Sequence, residues 1–553
     1  MTIFGRGSDP HLLRRVLAAA ILIAAAGAGV LLAQARSAPD WTTQGFDAQR
    51  TSWMRVDPYI SLDSLAKFQL IWKLKVDNES RHGNALTAPV ALGNLMTFRG
   101  FKSLIFVGGS SNNVYAIDYD FGTLFWRTHH NYTAGAREYA GSSTCPGGMT
   151  LPLTRATSLT PPAQLAFFGF ARPPRPAKGD VGEPGKGAPQ LAEIAARQAA
   201  RGARDGGDTL APAAAPARGA TAPARGTPPP ARGAGPQGGR GGRGPNFVFS
   251  VAADGLLRGL IPDTGDLAAP PVRLLPANAT GNGLIWTDGS VYTATSNTCG
   301  GAPEAVWAMD YTTDSKPVTT WETDGAPIAG ISVGSDGTVY AATGAGKSQY
   351  ANAIVALEAK TLKVKDWFAK TGDGFISTPV VFDEGERTYI ASTTASGLYL
   401  LDAASLGGAD HKTPLLALPA SANIRWTAES VATWRDPAGS RWILAPSTTA
   451  VMAFKLSEKA GVPALQQTWA SRDLAGPRTP IIVNGVVFAV SGGPAAANSV
   501  LYAIDPSTGK DIWNSGKTIV SRASAGLSAG TGQVYVVTHD NTVWAFGIPL
   551  AID

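Results

Sequence analysis

Apolar and polar positions along the chain follow one short pattern that returns many times. It is clearest in LYAIDPSTGKDIW, residues 501–513, where a β-prone apolar run meets Asp505-Pro506-Ser507-Thr508-Gly509 and Ile512-Trp513 opens a second apolar stretch. Apolar runs separated by turn formers, with a glycine available for a left-handed position, predict a hairpin. VYAIDYDFGTLFW, residues 114–126, repeats the pattern, and shorter copies occur as VWAMD at Val306, IVALE at Ile354, LYLLD at Leu398, VMAFK at Val451 and VWAFG at Val543. Their third residues are Ala116, Ala308, Ala356, Leu400, Ala453, Ala503 and Ala545, and from Ala308 onward they are 48, 44, 53, 50 and 42 apart. A period of about 40–50 residues, with several short strands in each unit, is the signature of a β-propeller blade.

The spacing predicts blades beginning near Ala88, Leu284, Ile328, Thr378, Ala428, Thr479 and Ser524. A degenerate second blade lies in PNFVFSVAADGLLRGLIPDTGD, where Gly259 stands 49 residues before Ala308 and Asp263-Thr264-Gly265 repeats the turn. The expected fold is therefore all-β, an eight-bladed β-propeller. Its last blade, with strands at 533–537 and 543–546, stops before a fourth strand, while LIWKLKV at 70–76 carries Trp72 where the repeats carry their last-strand tryptophan. Residues 71–76 are expected to supply that outer strand, closing the ring and removing two exposed sheet edges.

Two segments stand outside the repeat. Arg14 and Arg15 precede an uncharged run over residues 16–32, and Ala33-Gln34-Ala35 fits a small-residue cleavage site. Residues 1–35 thus resemble a secretory signal peptide, with an uncleaved membrane anchor as the other reading. Both readings put the folded part in the periplasm or beyond, and residues 36–553 form the propeller. Residues 171–245, mostly Ala, Gly, Pro and Arg, interrupt the second blade. With almost no aromatics they bury too little apolar surface to offset the entropy of ordering, so a disordered insertion between neighbouring strands is expected.

Charge changes the picture only through this insertion. It holds 12 Lys and Arg against 5 Asp and Glu, while the whole chain has a net charge of +6, so the remainder is near neutral. GGRGGRG at 238–244 is similar to arginine-glycine tracts that bind RNA, but in an exported chain it is expected to be a solvated loop, and no nucleic-acid partner is expected.

Few residues point to chemistry. Cys145 and Cys299 are the only cysteines; Cys145 falls in a loop between blades and Cys299 in a loop between second and third strands. Both loop types share one propeller face, so in an oxidising compartment either a disulfide or two free structural thiols fit. There is no Cys-x-x-Cys-His for covalent haem, and no Gly-x-Ser-x-Gly in a strand-to-helix context. His129-His130 is expected to be an exposed polar pair rather than a ligand set. Arg425, Arg478 and Arg522 precede the inner strands of three successive blades. They fit convergence on a multi-carboxylate ligand at one channel mouth, or blade-to-blade ion pairs with residues such as Glu429 or Asp473.

The pattern Ala-x-Asp-x-x-Thr-Gly-x-x-x-Trp, matched best at residues 503–513 and partly at 116–126, resembles the tryptophan-docking repeat of the pyrroloquinoline quinone (PQQ) propeller superfamily. DWTTQGFDAQRTSW, residues 40–53, is similar to the mature start of quinoprotein alcohol dehydrogenases. This resemblance implies a PQQ-binding, dehydrogenase-like protein that oxidises an alcohol or sugar and passes electrons to a separate acceptor. The candidate cofactor contacts are Arg425, Trp426, Arg478, Arg522 and Asn352. In ATGAGKSQYANAIVALEAKT, however, Ala345 and Ala351 stand near the family's calcium-ligand Asn and its ligand-and-base Asp, leaving only Asn352. The quinone-stacking disulfide of adjacent cysteines is also missing. A hard cation needs several oxygen ligands, so calcium and a calcium-assisted base are not expected, and neither a metal site nor a catalytic residue is assigned. The alternative is a non-catalytic scaffold, similar to propellers of outer-membrane protein assembly, whose faces bind other envelope proteins.

Overall fold

The computed structural model describes residues 39–131, 141–157, 247–420, 424–459, 462–492 and 498–549. The apolar run at 16–32 and the 171–245 insertion lie outside the described residues, together with the expectations attached to them. The described chain is all-β and propeller-like: short strands in seven sheets, interrupted only by 3-10 turns such as Asp63–Lys67 and Cys299–Gly301.

Sequence-consecutive antiparallel strands form four-stranded groups at 90–129, 280–322, 328–369, 380–419, 432–470 and 481–514. A further group joins Thr154–Thr157 to Val248–Val251, Leu256–Leu260 and Val272–Arg273, and merges with the 280–322 group through a short parallel pairing at Trp286↔Ala156. In the last sheet, Ser528–Gly530, Gln533–Val537 and Thr542–Gly547 take their outer strand from Gln69–Lys75, which pairs antiparallel with Trp72 opposite Ala545. Numbered along the chain, these groups are repeats 1 to 8.

The recurring alanine explains the stacking. Third strands such as Asn113–Asp118 and Ala353–Leu357 are buried on both faces, and Ala116, Ala308, Ala356, Ala453, Ala503 and Ala545 lie inside. Strands covered on both sides read as continuous apolar runs, and a small side chain at their centre lets the next repeat approach. The core is correspondingly divided into clusters that each bridge neighbouring repeats. One contains Leu398 and Leu400 of repeat 5 with Ile443 and Phe454 of repeat 6; another joins Ile105 and Tyr115 of repeat 1 to Tyr535 and Val537 of repeat 8.

Outer-strand tryptophans fasten one repeat to the next. Trp469 donates its indole N–H to the Pro506 carbonyl (2.8 Å) and covers Gly509, at φ 72° in the turn of repeat 7. Trp126 does the same to Pro262 in repeat 2 (2.8 Å), and Trp72, from the N-terminal strand, to Tyr119 in repeat 1 (2.7 Å).

A feature absent from the sequence reading is the course of residues 41–57, which touch the first strand, or the turn after it, of every repeat in order. Trp41 N–H donates to Ala91, Arg155 N–H donates to Thr42, and Thr43 Oγ1 donates to Leu284. The amides of Val333, Val381, Thr433 and Ile482 then donate to the carbonyls of Ala48, Gln49, Thr51 and Ser52. Finally, the Gly532 amide donates to the Asp57 carboxylate (2.8 Å). Trp53–Met54 also adds a short parallel strand to Ile481–Val483, so repeat 7 has five strands.

Candidate functional site

In an up-and-down group of four strands, the loop between second and third strands and the loop leaving the fourth emerge at the same end. Cys145 lies between repeats 1 and 2 and Cys299 between the second and third strands of repeat 3; they are joined by a disulfide with Cα atoms 5.5 Å apart. The Asn297 side chain fastens the same two loops through the Thr144 carbonyl (3.1 Å).

Asn352 occupies the corresponding loop of repeat 4 at φ 55°, its amide donating to Gly344 and its carbonyl accepting from Lys370. Its side-chain Oδ1 is buried without a hydrogen-bond partner. Beside it Ala351 is buried and Ala345 exposed, and neither offers a donor atom to a cation.

The three arginines do not behave alike. Arg425 is exposed, while neighbouring Trp426 is buried against Phe454 with its indole N–H unpartnered. Arg478 binds Glu429 of the preceding loop (Nη1 to Oε1, 2.8 Å) and donates Nη2 to the Ala523 carbonyl (3.0 Å). The other Glu429 oxygen accepts from the Thr479 amide and hydroxyl (2.9 and 3.0 Å). Glu429 therefore ties repeat 6 to repeat 7, one of the two arrangements the sequence left open for this arginine. Arg522 Nη2 approaches His539 Nε2 (3.2 Å), and burial, followed by the charges of Arg522 and Arg478, pulls the imidazole pKa down to about 4.

Below Glu429 and Thr479 the N-terminal segment forms a floor. Arg50, Gln44 and Ser52 line, with Thr378 and Asn282, a cavity of about 40 Å³. Arg50 is almost fully buried; it donates Nε to the Ile331 carbonyl (3.4 Å) and Nη1 to Thr43 Oγ1 (3.0 Å) and the Gln44 carbonyl. Burial lowers its pKa to about 10 against the opposing field of Asp47, whose own pKa burial raises. Ser52 Oγ is buried without a partner. These residues were missed as site residues, although the charged Asp47 and Arg50 among short polar residues in a stretch already singled out were a usable signal.

The histidine expectation needs correcting. His130 is 4% exposed, its Nε2 lies 3.1 Å from Ser250 Oγ, and burial drives its pKa down to about 3. The stacking of repeat 2 on repeat 1 covers it, which a local reading of the loop could not register.

A family model described as outer membrane protein assembly factor BamB matches residues 455–548. Among solved structures, a quinohemoprotein alcohol dehydrogenase from Comamonas testosteroni is similar at 14% identity, covering 94% of this chain and 82% of its own, with a TM-score of 0.52. The quinohemoprotein alcohol dehydrogenase ADHIIG from Pseudomonas putida HK5 is similar at 11% identity, with the same coverages and a TM-score of 0.54. The fold is that of the PQQ-binding-like β-propeller superfamily. A europium-containing methanol dehydrogenase, at 11% identity, extends the likeness over 94% of this PQQ-like propeller and 100% of its own chain, with a TM-score of 0.52. No curated protein matches the chain. Among the described residues of this PQQ-like propeller, no three His, Cys, Asp or Glu side chains converge as metal donors, and the alanines at 345 and 351 leave Asn352 as a single amide oxygen. That donor set does not fit a hard cation.

Proposed function

We propose that this chain is an exported, non-catalytic β-propeller of the cell envelope, with eight blades in one ring, whose faces bind other envelope proteins. The observation that carries the reading is the state of the channel mouth. Arg478 is held by Glu429 and the Ala523 carbonyl, and the space beneath is about 40 Å³. With Arg478 already engaged, a quinone tricarboxylate would have to displace an existing ion pair there, and of the three arginines only Arg425 is exposed. The ring is supported by the pairing of Gln69–Lys75 with Thr542–Gly547, by Trp72 docking on repeat 1, and by a core cluster shared between repeats 1 and 8. The match of residues 455–548 to an assembly-factor family agrees with a scaffold.

The second reading, a PQQ-dependent oxidoreductase with a separate electron acceptor, draws on the unpartnered Asn352 Oδ1 and Trp426 Nε1, both polar atoms that a ligand would satisfy. Titration of the full chain with PQQ, with and without calcium, followed by quinone absorbance, separates the two. Absence of saturable binding is expected. Saturable binding lost in Arg478→Ala would replace the scaffold with the oxidoreductase.

A further inference from the structure

The end of the propeller opposite the disulfide carries an apolar edge that neither functional reading uses. The three exposed phenylalanines among the described residues, Phe98, Phe101 and Phe121, all lie there, 58%, 52% and 67% exposed, with Met96 at 77%. Phe98 and Phe101 flank the tight turn between Val90–Thr97 and Gly100–Gly109, and Phe121 sits in the turn before Leu124–His129. The turn of repeat 2 is contiguous with them: Asp263 accepts from the Phe98 amide (3.2 Å), and exposed Ile261 and Leu267 belong to that turn. Cations are interleaved. The Lys102 ammonium pairs with Asp118 and lies over the Phe121 ring, whereas Arg99, at the apex, covers Phe98 and Phe125 and has no ion pair among the described residues.

We propose that these turn tips rest in the surface of an anionic lipid bilayer. Aromatic side chains on these turns, with Arg99 at the apex and unpaired among the described residues, match the interface, where rings sit at headgroup depth and a basic group meets lipid phosphate. Asp120, Asp263 and Asp266 share the turns, so the guanidinium acts through direct contact with phosphate and not through a net positive charge of the edge. The chain's course supplies an independent argument. Pro39 and Asp40 lie against Gly93 and Ser103 on the same hairpin, with Asp40 accepting from the Gly93 amide (2.8 Å). The apolar run at 16–32 ends only seven residues before Pro39, within about 25 Å of it even for extended chain. Whatever membrane affinity that run retains is delivered to this edge, and stable attachment takes two signals where one is marginal.

The test is hydrogen–deuterium exchange of the full chain, alone and with vesicles of phosphatidylglycerol and phosphatidylethanolamine or of phosphatidylcholine, resolved over residues 94–102 and 119–123. Both turns are expected to exchange about tenfold more slowly with the anionic vesicles and little changed with the neutral ones. Phe98→Ser with Phe101→Ser, or Arg99→Glu alone, should abolish that protection without altering the unfolding temperature, because these side chains are exposed. Flotation of the chain with unprotected turns would overturn the proposal, since the N-terminal run alone would then hold the lipid. Protection without vesicles that grows with protein concentration would also overturn it and assign the edge to a second copy of the chain.

Discussion

At the scale of single residues, the contact between Trp72 and Gly122 shows what each inter-repeat joint depends on. Gly122 sits at φ 62°, and a Cβ placed on it would lie 2.5 Å from the Trp72 ring and 2.7 Å from its Cβ. Gly122→Ala must strain the turn and push the tryptophan out, which should cost about 3 kcal/mol in denaturant unfolding. A loss within error of zero would mean that the indole moves freely. His130 makes the second residue-level case. Its folded pKa of about 3 lies below the ordinary 6.5, so below pH 6.5 the unfolded chain takes up a proton that the folded chain refuses. Its contribution to stability is therefore intact above pH 6.5 and lost at about 1.4 kcal/mol per pH unit as the pH falls towards 3. Buried Asp47 and Asp57, with raised pKa values, act in the opposite sense at acid pH, so the informative quantity is the difference between the parent chain and His130→Asn. From pH 7.5 to 5 the parent should lose more stability than the variant. Parallel curves would place the imidazole in solvent.

At the scale of elements, strands were the most legible part of the sequence and long-range partners the least. The Ala-x-Asp turn and the late tryptophan announce third and fourth strands directly, because both are local: Asp505 accepts from the Ser507 and Thr508 amides within its own turn. Thr154–Thr157 gives no such signal. It is a first strand cut off from its second by the insertion, and only its pairing with Val248–Val251 makes it one. The same limit hid residues 41–57, whose carbonyls are spent on amides up to some 430 positions away, as from Ser52 to Ile482. Of the candidate site, the placement of the two cysteines on one end followed from strand order. The engagement of Arg478 did not, because Glu429 reaches it only once repeats 6 and 7 stack. Removing everything before Asp77 takes away both this segment and Gln69–Lys75. The last sheet then has three strands, Thr542–Gly547 becomes an open edge, and the amides of Val333, Val381, Thr433 and Ile482 lose their acceptors. Aggregation, or a broad non-cooperative thermal transition, is expected. A soluble truncation that unfolds as sharply as the parent would show that the first and last repeats hold each other without the strand. Cys145→Ser with Cys299→Ser removes a link spanning 154 residues, and should lower stability by about 2–5 kcal/mol by chain-entropy reasoning.

At the scale of the whole molecule, the sequence reads as a propeller carrying a foreign stretch of different physics. Outside residues 171–245 the chain is near charge balance, and its apolar residues recur with the blade period; inside, 12 basic and 5 acidic residues stand among Ala, Gly and Pro with no aromatic residue. Such a composition cannot supply a core of its own, and nothing in the repeat pattern needs it, since the strands on either side, Thr154–Thr157 and Val248–Val251, pair directly. Loop-closure entropy grows only as the logarithm of length, so exchanging 75 residues for a Gly/Ser linker of about 10 changes the closure term by under about 2 kcal/mol, and in the stabilising direction. The shortened chain should therefore melt within a few degrees of the parent, while its net charge falls from +6 to −1. The charge change separates two roles for the stretch. If the anionic-vesicle protection of the Phe98 turn survives the deletion, attraction resides in the turn tips and Arg99; if it disappears while the fold is intact, the basic insertion supplies the long-range pull and the tips only the insertion depth. A fall in melting temperature of ten degrees or more would contradict the whole partition, because it would require residues 171–245 to bury surface against the blades.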